Sequence, residues 1–137
     1  MLDEEARTAL ARAGLVLGSL VAYMPEGLTP EAIASRIALA TMWYGAGRAL
    51  RPPTGGAVSF PVGRGIDHAA FTAIGFPVFG PRAVRADVAA RVRARIADAE
   101  LEAPADTEIA SWLGCTTREV RRVVDGLGRT RDLTGSE

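Results

Sequence analysis

Apolar residues follow helix-like or strand-like patterns in successive segments of the chain, and this periodicity is the main sequence signal for secondary structure. Residues 3–13 have a helical composition that ends at Gly14. The next segment, 15–24, is rich in Leu and Val and is closed by the turn-forming sequence 24–27. We therefore predict a helix over 3–13 and a strand over 15–24.

The segment after residue 28 carries the start signals of a longer helix. Thr29 is a good N-cap and Pro30 suits the first helical position. The apolar residues at helical spacing are Ile33, Ile37, Ala40 and Tyr44. We predict a central helix that ends near Arg48. We assign its cluster Met42-Trp43-Tyr44 to the core, because buried aromatic residues are common in a domain of this size.

Short strands and helices alternate through the middle of the chain. Residues 51–56 are rich in Pro and Gly and predict a loop leading into a short strand over 57–60. Residues 67–74 predict a short helix, and 76–79 predict a second short strand. Asp87 then caps another helix. Its apolar stripe consists of Val88, Val92 and Ile96. Helices with a few short strands predict a mainly helical α+β fold.

The segment 106–125 fits the twenty-residue helix-turn-helix pattern. Gly114 tolerates the positive φ that ends the first helix, and Thr116 with Glu119 forms a capping box that begins the second. The positions expected to face inward are Ile109, Ala110, Leu113, Val120 and Val123. We predict a helix-turn-helix-like hairpin near the C-terminus.

The outward face of the second hairpin helix is rich in arginine. In a DNA-binding module this helix would lie in the major groove with Thr116, Thr117 and Arg118 at its leading end. Arg121 and Arg122 face outward with Arg118 and are predicted to contact phosphate. The chain has no Asn or Gln, so direct base contacts reduce to Arg with guanine and Thr with a methyl group. A plain helical hairpin with solvated arginines is the structural alternative.

Composition excludes several classes of protein. The length of 137 residues suits one domain, and the 16 basic residues, all Arg, balance 16 acidic residues. Zero net charge limits non-specific affinity for nucleic acid. The absence of Lys excludes a Walker-type phosphate loop and a Schiff-base nucleophile. The charge is nevertheless uneven, because residues 64–95 hold six Arg against two acids.

Catalytic, metal and membrane chemistry find little support in the sequence. One His and one Cys cannot complete a zinc site, and His68 has no partner at triad spacing. Cys115 cannot form an intramolecular disulfide, and no apolar run reaches the length of about 20 residues that a membrane helix needs. We expect no catalytic centre, no metal, no cofactor, no membrane association and a cytoplasmic location.

Several short segments carry a resemblance to a known family. They are Gly80-Pro81-Arg82-Ala83-Val84-Arg85-Ala86-Asp87 after the helix and strand 71–79, then Leu113-Gly114-Cys115 and Leu127-Gly128, with Met42-Trp43, Pro52-Pro53 and Val58-Ser59-Phe60-Pro61 upstream. In order and spacing the chain resembles the region that follows the motor in bacterial superfamily two helicases related to the mitochondrial degradosome RNA helicase. The chain departs from that pattern because it carries no motor and because its last helix is richer in Arg.

The resemblance implies an accessory region that sits on a helicase motor, in cis or in trans, and helps to hold a nucleic-acid strand. Arg82 and Arg85 complete the candidate nucleic-acid contacts. We predict a mixed helix and strand domain over 1–100, the hairpin over 101–129 and a flexible tail over 130–137, in a chain that is a monomer. Two alternatives stay open, namely a stand-alone helix-turn-helix transcriptional regulator and a protein-docking domain without nucleic-acid contact.

Overall fold

The computed structural model describes residues 3–17, 22–44, 56–63, 65–98 and 102–134. The helices in this part of the chain are α1 (Glu4–Arg12), a 3-10 helix (Pro25–Leu28), α2 (Pro30–Tyr44), α3 (His68–Ala73), α4 (Ala86–Ala97), α5 (Asp106–Leu113) and α6 (Thr117–Thr134). The strands are β1 (Val16–Leu17), β2 (Ala22–Tyr23), β3 (Ser59–Pro61), β4 (Val78–Phe79) and β5 (Arg82–Val84). The fold is mainly helical α+β, which confirms the predicted class.

A small antiparallel sheet lies at the centre of the fold, with strand order β3-β5-β4. Ala83 of β5 lies between Phe60 of β3 and Val78 of β4. Successive residues of a strand point to opposite faces, so Ala83 and Val84 belong to different halves of the core.

Helices cover both faces of this sheet. On one face, Val84 and Phe79 pack with buried residues of α4, α5 and α6. On the other face, Ala83 packs with α2 and α3, and the Phe60 ring lies against Phe71 and Phe76 at centroid distances of 5.8 and 5.2 Å. The hairpin and α2 therefore lie on opposite sides of the sheet.

Local capping explains where the shorter helices begin and end. Asp3 accepts a hydrogen bond from the Ala6 N–H at 2.7 Å, which begins α1 as expected. Asp67 likewise accepts hydrogen bonds from the N–H groups of Ala69 and Ala70 at the beginning of α3. Gly75, at φ +94°, follows the end of that helix. A side chain at that φ is strained, so glycine suits the turn into β4.

Two of the predicted elements differ from the structure. The strand expected over 15–24 is two short antiparallel strands, with Val16 opposite Tyr23 and Leu17 opposite Ala22. Pairing satisfies backbone groups that one isolated strand would leave open. The helix after β5 begins at Ala86, so Asp87 lies in its first turn and does not cap it.

The predicted core positions of α2 and α4 were partly wrong. Met42 and Trp43 are 82% and 84% exposed, because α2 packs through the stripe that includes Ile37 and Ala40. Met42, two positions after Ala40, points away from that stripe, and Trp43 lies on its flank. In α4 Val92 is buried but Ile96 is exposed. The smaller Ala86 and Ala89 provide the remaining buried positions of α4.

Other predictions fall partly beyond the described residues. Residues 51–55 of the loop predicted over 51–56, the expected helix end near Arg48 and the Tyr44 side chain lie outside them. The strand expected over 57–60 is found at Ser59–Pro61, and β5 was not predicted. The last helix continues to Thr134, through the first five residues of the expected tail, because Arg129 to Thr134 contain no glycine or proline to stop it.

Candidate nucleic-acid interface

The C-terminal hairpin has the predicted geometry. α5 ends at Gly114, which adopts the left-handed conformation at φ +66° and donates its N–H to the Ala110 carbonyl at 2.9 Å. The inward positions Ile109, Leu113, Val120 and Val123 are all buried in the core between the hairpin, α4 and the sheet. The two helices therefore pack through the faces that the sequence indicated.

A hydrogen-bonded pair begins α6. The Thr116 N–H and hydroxyl both donate to the Oε2 atom of Glu119, at 3.0 and 2.9 Å. This is half of the predicted capping box, because the Thr116 hydroxyl accepts no hydrogen bond from the Glu119 N–H, which donates instead to the Thr116 carbonyl at 3.0 Å. The bond from the Thr116 N–H, then that from its hydroxyl, lowers the pKa of Glu119 below the ordinary value. Glu119 is therefore held ionised at the helix N-terminus, where a negative charge is favourable.

Arg82 is not a surface contact, which corrects its assignment to the candidate interface. Only 6% of the Arg82 surface is exposed. Its guanidinium donates to the Ser59 hydroxyl through Nε at 3.1 Å and Nη2 at 3.0 Å, and to Glu119 Oε1 through Nη1 at 2.9 Å. Ser59 in turn donates to the Leu113 carbonyl at the end of α5. Arg82 thus joins the sheet to both hairpin helices.

The other arginines that the structure describes in residues 64–95, the basic middle, also have partners within the fold. Arg85 forms a two-point ion pair with Asp87, at 2.7 and 2.9 Å, and its side chain is partly buried. The remaining partners are the Trp112 ring for Arg91 at 3.9 Å, the Leu127 carbonyl for Arg93 at 3.2 Å and the Glu108 carboxylate for Arg95 at 3.2 Å. The positive charge of this segment is therefore used to hold α4 and its neighbours in place.

The outward face of α6 is different. Arg118, Arg121 and Arg122 are all exposed, and Thr116 and Thr117 are exposed at its leading end. Arg121 reaches Asp106 of α5 at 3.2 Å, but its side chain remains 80% exposed. An ion pair in such contact with water contributes little stability and exchanges readily.

Two of these guanidiniums are open to an external anion. In the described part of the chain, Arg118 and Arg122 form no hydrogen bond or ion pair. The four residue steps from Arg118 to Arg122 rise about 6 Å along the helix. One strand of B-form DNA carries a phosphate about every 3.4 Å of its axis. The rise covers nearly two of these intervals, so the face can meet up to three successive phosphates, with exposed Asp125 as its acidic neighbour.

A close backbone contact fixes the orientation of this face, and the sequence analysis missed it. A Cβ atom at Gly126 of α6 would lie 2.6 Å from the Gly80 nitrogen, and one at Gly80 would lie 2.6 Å from the Arg122 carbonyl oxygen. The turn between β4 and β5 therefore packs directly on the α6 backbone. The available signal was Gly126 itself, since a glycine inside a helix often marks a close approach.

The remaining reactive side chains form no competing site among the described residues. His68 is exposed on α3, and burial raises the pKa of the Cys115 thiol. No group of three or more His, Cys, Asp or Glu residues is placed to hold a metal in the part of the chain described. None of the described helices is both long and apolar enough to cross a membrane.

We compared the chain with models of protein families, with curated proteins and with solved structures. None of the three comparisons found a match. The likeness to helicase accessory regions therefore depends only on the short segments quoted above and remains a prediction.

Proposed function

We propose that this chain is a non-catalytic nucleic-acid-binding accessory domain and that the outward face of α6 contacts phosphate. The observation that carries the proposal is the contrast between two groups of arginines. Those of the basic middle that are described have partners inside the fold, whereas Arg118 and Arg122 have none and Arg121 has only a solvated one. A local cluster of this kind binds phosphate even though the net charge is zero.

The helicase resemblance supplies the biological setting of the proposal. The motor, in cis or in trans, would hydrolyse ATP, and this domain would hold the strand near it. We place the chain in the cytoplasm as a monomer. Its candidate contacts are Thr116, Thr117, Arg118, Arg121 and Arg122. Arg82 and Arg85 are no longer among them, because Arg82 is buried and Arg85 is paired with Asp87.

Fluorescence anisotropy with the full chain tests this proposal. Labelled single-stranded RNA, single-stranded DNA and duplex DNA are titrated at low salt, against the unmodified protein and the double variant Arg121→Ala/Arg122→Ala. We expect saturable binding that the double variant weakens about equally for different sequences, because phosphate contacts carry no sequence information. Arg12→Ala, an exposed change at the end of α1, is the matched control. Absence of binding to all three probes would favour a protein-docking domain.

A stand-alone transcriptional regulator is the second candidate. It is favoured by the exposed leading end of α6, where Thr117 and Arg118 follow a left-handed glycine turn as a recognition helix requires. Such a regulator normally binds as a dimer whose two helices lie about one DNA turn apart. Light scattering that shows a stable dimer, together with preference for one duplex sequence, would support this candidate over the accessory domain.

A further inference from the structure

An open apolar groove lies on the side of the sheet opposite the hairpin. It has a volume of about 630 Å³ between α2 and α3. Its lining residues are Arg36, Leu39, Ala40, Met42, Trp43 and Ala73. The volume falls within the range of about 300–1,000 Å³ that is typical of small-molecule sites. Leu39, Met42 and Trp43 expose 66%, 82% and 84% of their surface, so folding leaves a connected apolar surface here.

One cation at this groove has no partner among the residues that the structure describes. Arg36 is partly buried, and its guanidinium packs so closely over Gly27 that a Cβ atom there would overlap Nη2. Its Nη1 atom lies 3.8 Å from the Cβ position of Gly75. Within the described chain Arg36 has no hydrogen bond or ion pair. A partly desolvated guanidinium gains most from an anion that supplies both charge and hydrogen bonds.

We propose that this groove binds a small amphiphile, an apolar chain or ring that carries a single carboxylate. The carboxylate would accept two parallel hydrogen bonds from the Arg36 guanidinium. The apolar part would cover Leu39, Met42 and Trp43, and so remove their surface from water. A single cation among apolar side chains matches one anionic group and disfavours sugars or other ligands with many polar groups. The site is independent of the α6 face, because the sheet lies between them.

Tryptophan fluorescence with decanoate and decanol tests the proposal. The chain has two tryptophans, so Trp112→Phe leaves Trp43 in the groove as the reporter. We expect decanoate to move the Trp43 emission to shorter wavelength in a saturable titration, and decanol to bind at least about tenfold more weakly. A hydrogen-bonded ion pair of this kind is commonly worth a factor of ten or more.

Charge variants separate the role of Arg36 from general hydrophobic binding. Arg36→Gln should remove the preference for decanoate over decanol, whereas Arg12→Gln, on the exposed end of α1, should keep it. Arg36→Lys keeps the charge but loses the planar two-point geometry, so it should retain a weaker preference. Circular dichroism tests whether each variant is folded. The comparison of decanoate with decanol does not depend on these variants, because it is made on the Trp112→Phe protein, which retains Arg36.

Three results would overturn the proposal. One is a Trp43 signal that does not saturate with decanoate, and another is equal affinity for decanoate and decanol. The third is a dimer in sedimentation velocity whose formation also shields Trp43 from water in the fluorescence measurement. A second copy of the chain would then occupy the groove.

Discussion

Replacing Gly126 with alanine is expected to destabilise the protein, although alanine is the better helix former. A Cβ atom at position 126 would lie 2.6 Å from the Gly80 nitrogen and 2.9 Å from the Phe79 carbonyl carbon. Both neighbours are backbone atoms, so no side chain can rotate away. Overpacking of this kind costs up to about 3 kcal/mol. The gain in helix propensity offsets about 1 kcal/mol of this cost. The expected loss in the free energy of unfolding is therefore about 2 kcal/mol.

Urea denaturation followed by circular dichroism at pH 7 measures this loss directly. Gly63→Ala is the control, because a Cβ atom there meets nothing within 4 Å and the backbone φ is not positive. That change is expected to be neutral or to stabilise the protein by up to about 1 kcal/mol. A Gly126→Ala protein at least as stable as the unmodified chain would show that helix propensity outweighs the contact and that α6 does not pack so closely on the β4–β5 turn.

Three further predictions concern the hairpin and its attachment. Asp125→Asn should strengthen nucleic-acid binding about two- to threefold at low salt, since it removes a negative charge beside Arg121 and Arg122; unchanged anisotropy titrations would contradict this. Arg82→Met should lower the free energy of unfolding by about 3 kcal/mol, because three charged hydrogen bonds are lost, yet the folded variant should keep the salt dependence of nucleic-acid binding. Folding lowers the pKa of Glu119, so its ionised form stabilises the protein above the unfolded pKa of about 4.3. This stabilisation is lost as the pH falls through the pKa of the folded state. The difference in the free energy of unfolding between the unmodified chain and Glu119→Gln should therefore shrink between pH 6 and pH 3 in urea titrations.

The hairpin was predictable because its signals agree. Ile109 and Leu113 before the turn, and Val120 and Val123 after it, recur at helical spacing and are all buried. Gly114 between them occupies the left-handed turn that the pattern required. Where periodicity, turn chemistry and capping point to one structure, a single sequence is enough to place both helices.

Other features depend on tertiary contacts that leave little trace in the sequence. The helix α2 carries apolar residues on more than one face, so its periodicity does not select Ile37 and Ala40 over Met42 and Trp43. Arg82 lies in a strand of three residues, which is too short to show alternation. Its burial is possible only because Ser59 and Glu119, 23 and 37 positions away, supply acceptors. Charge runs alone therefore overestimate the basic surface.

The salt dependence of binding tests the central claim most directly. With three phosphate contacts from Arg118, Arg121 and Arg122, log affinity for duplex DNA should fall with log salt at a slope of about 2.7, which is roughly a fortyfold loss between 50 and 200 mM salt. Arg121→Ala/Arg122→Ala should reduce that slope to about 0.9, a loss of only about fourfold over the same range. The same slope in the double variant and the unmodified chain would contradict the assignment of phosphate binding to the outward face of α6.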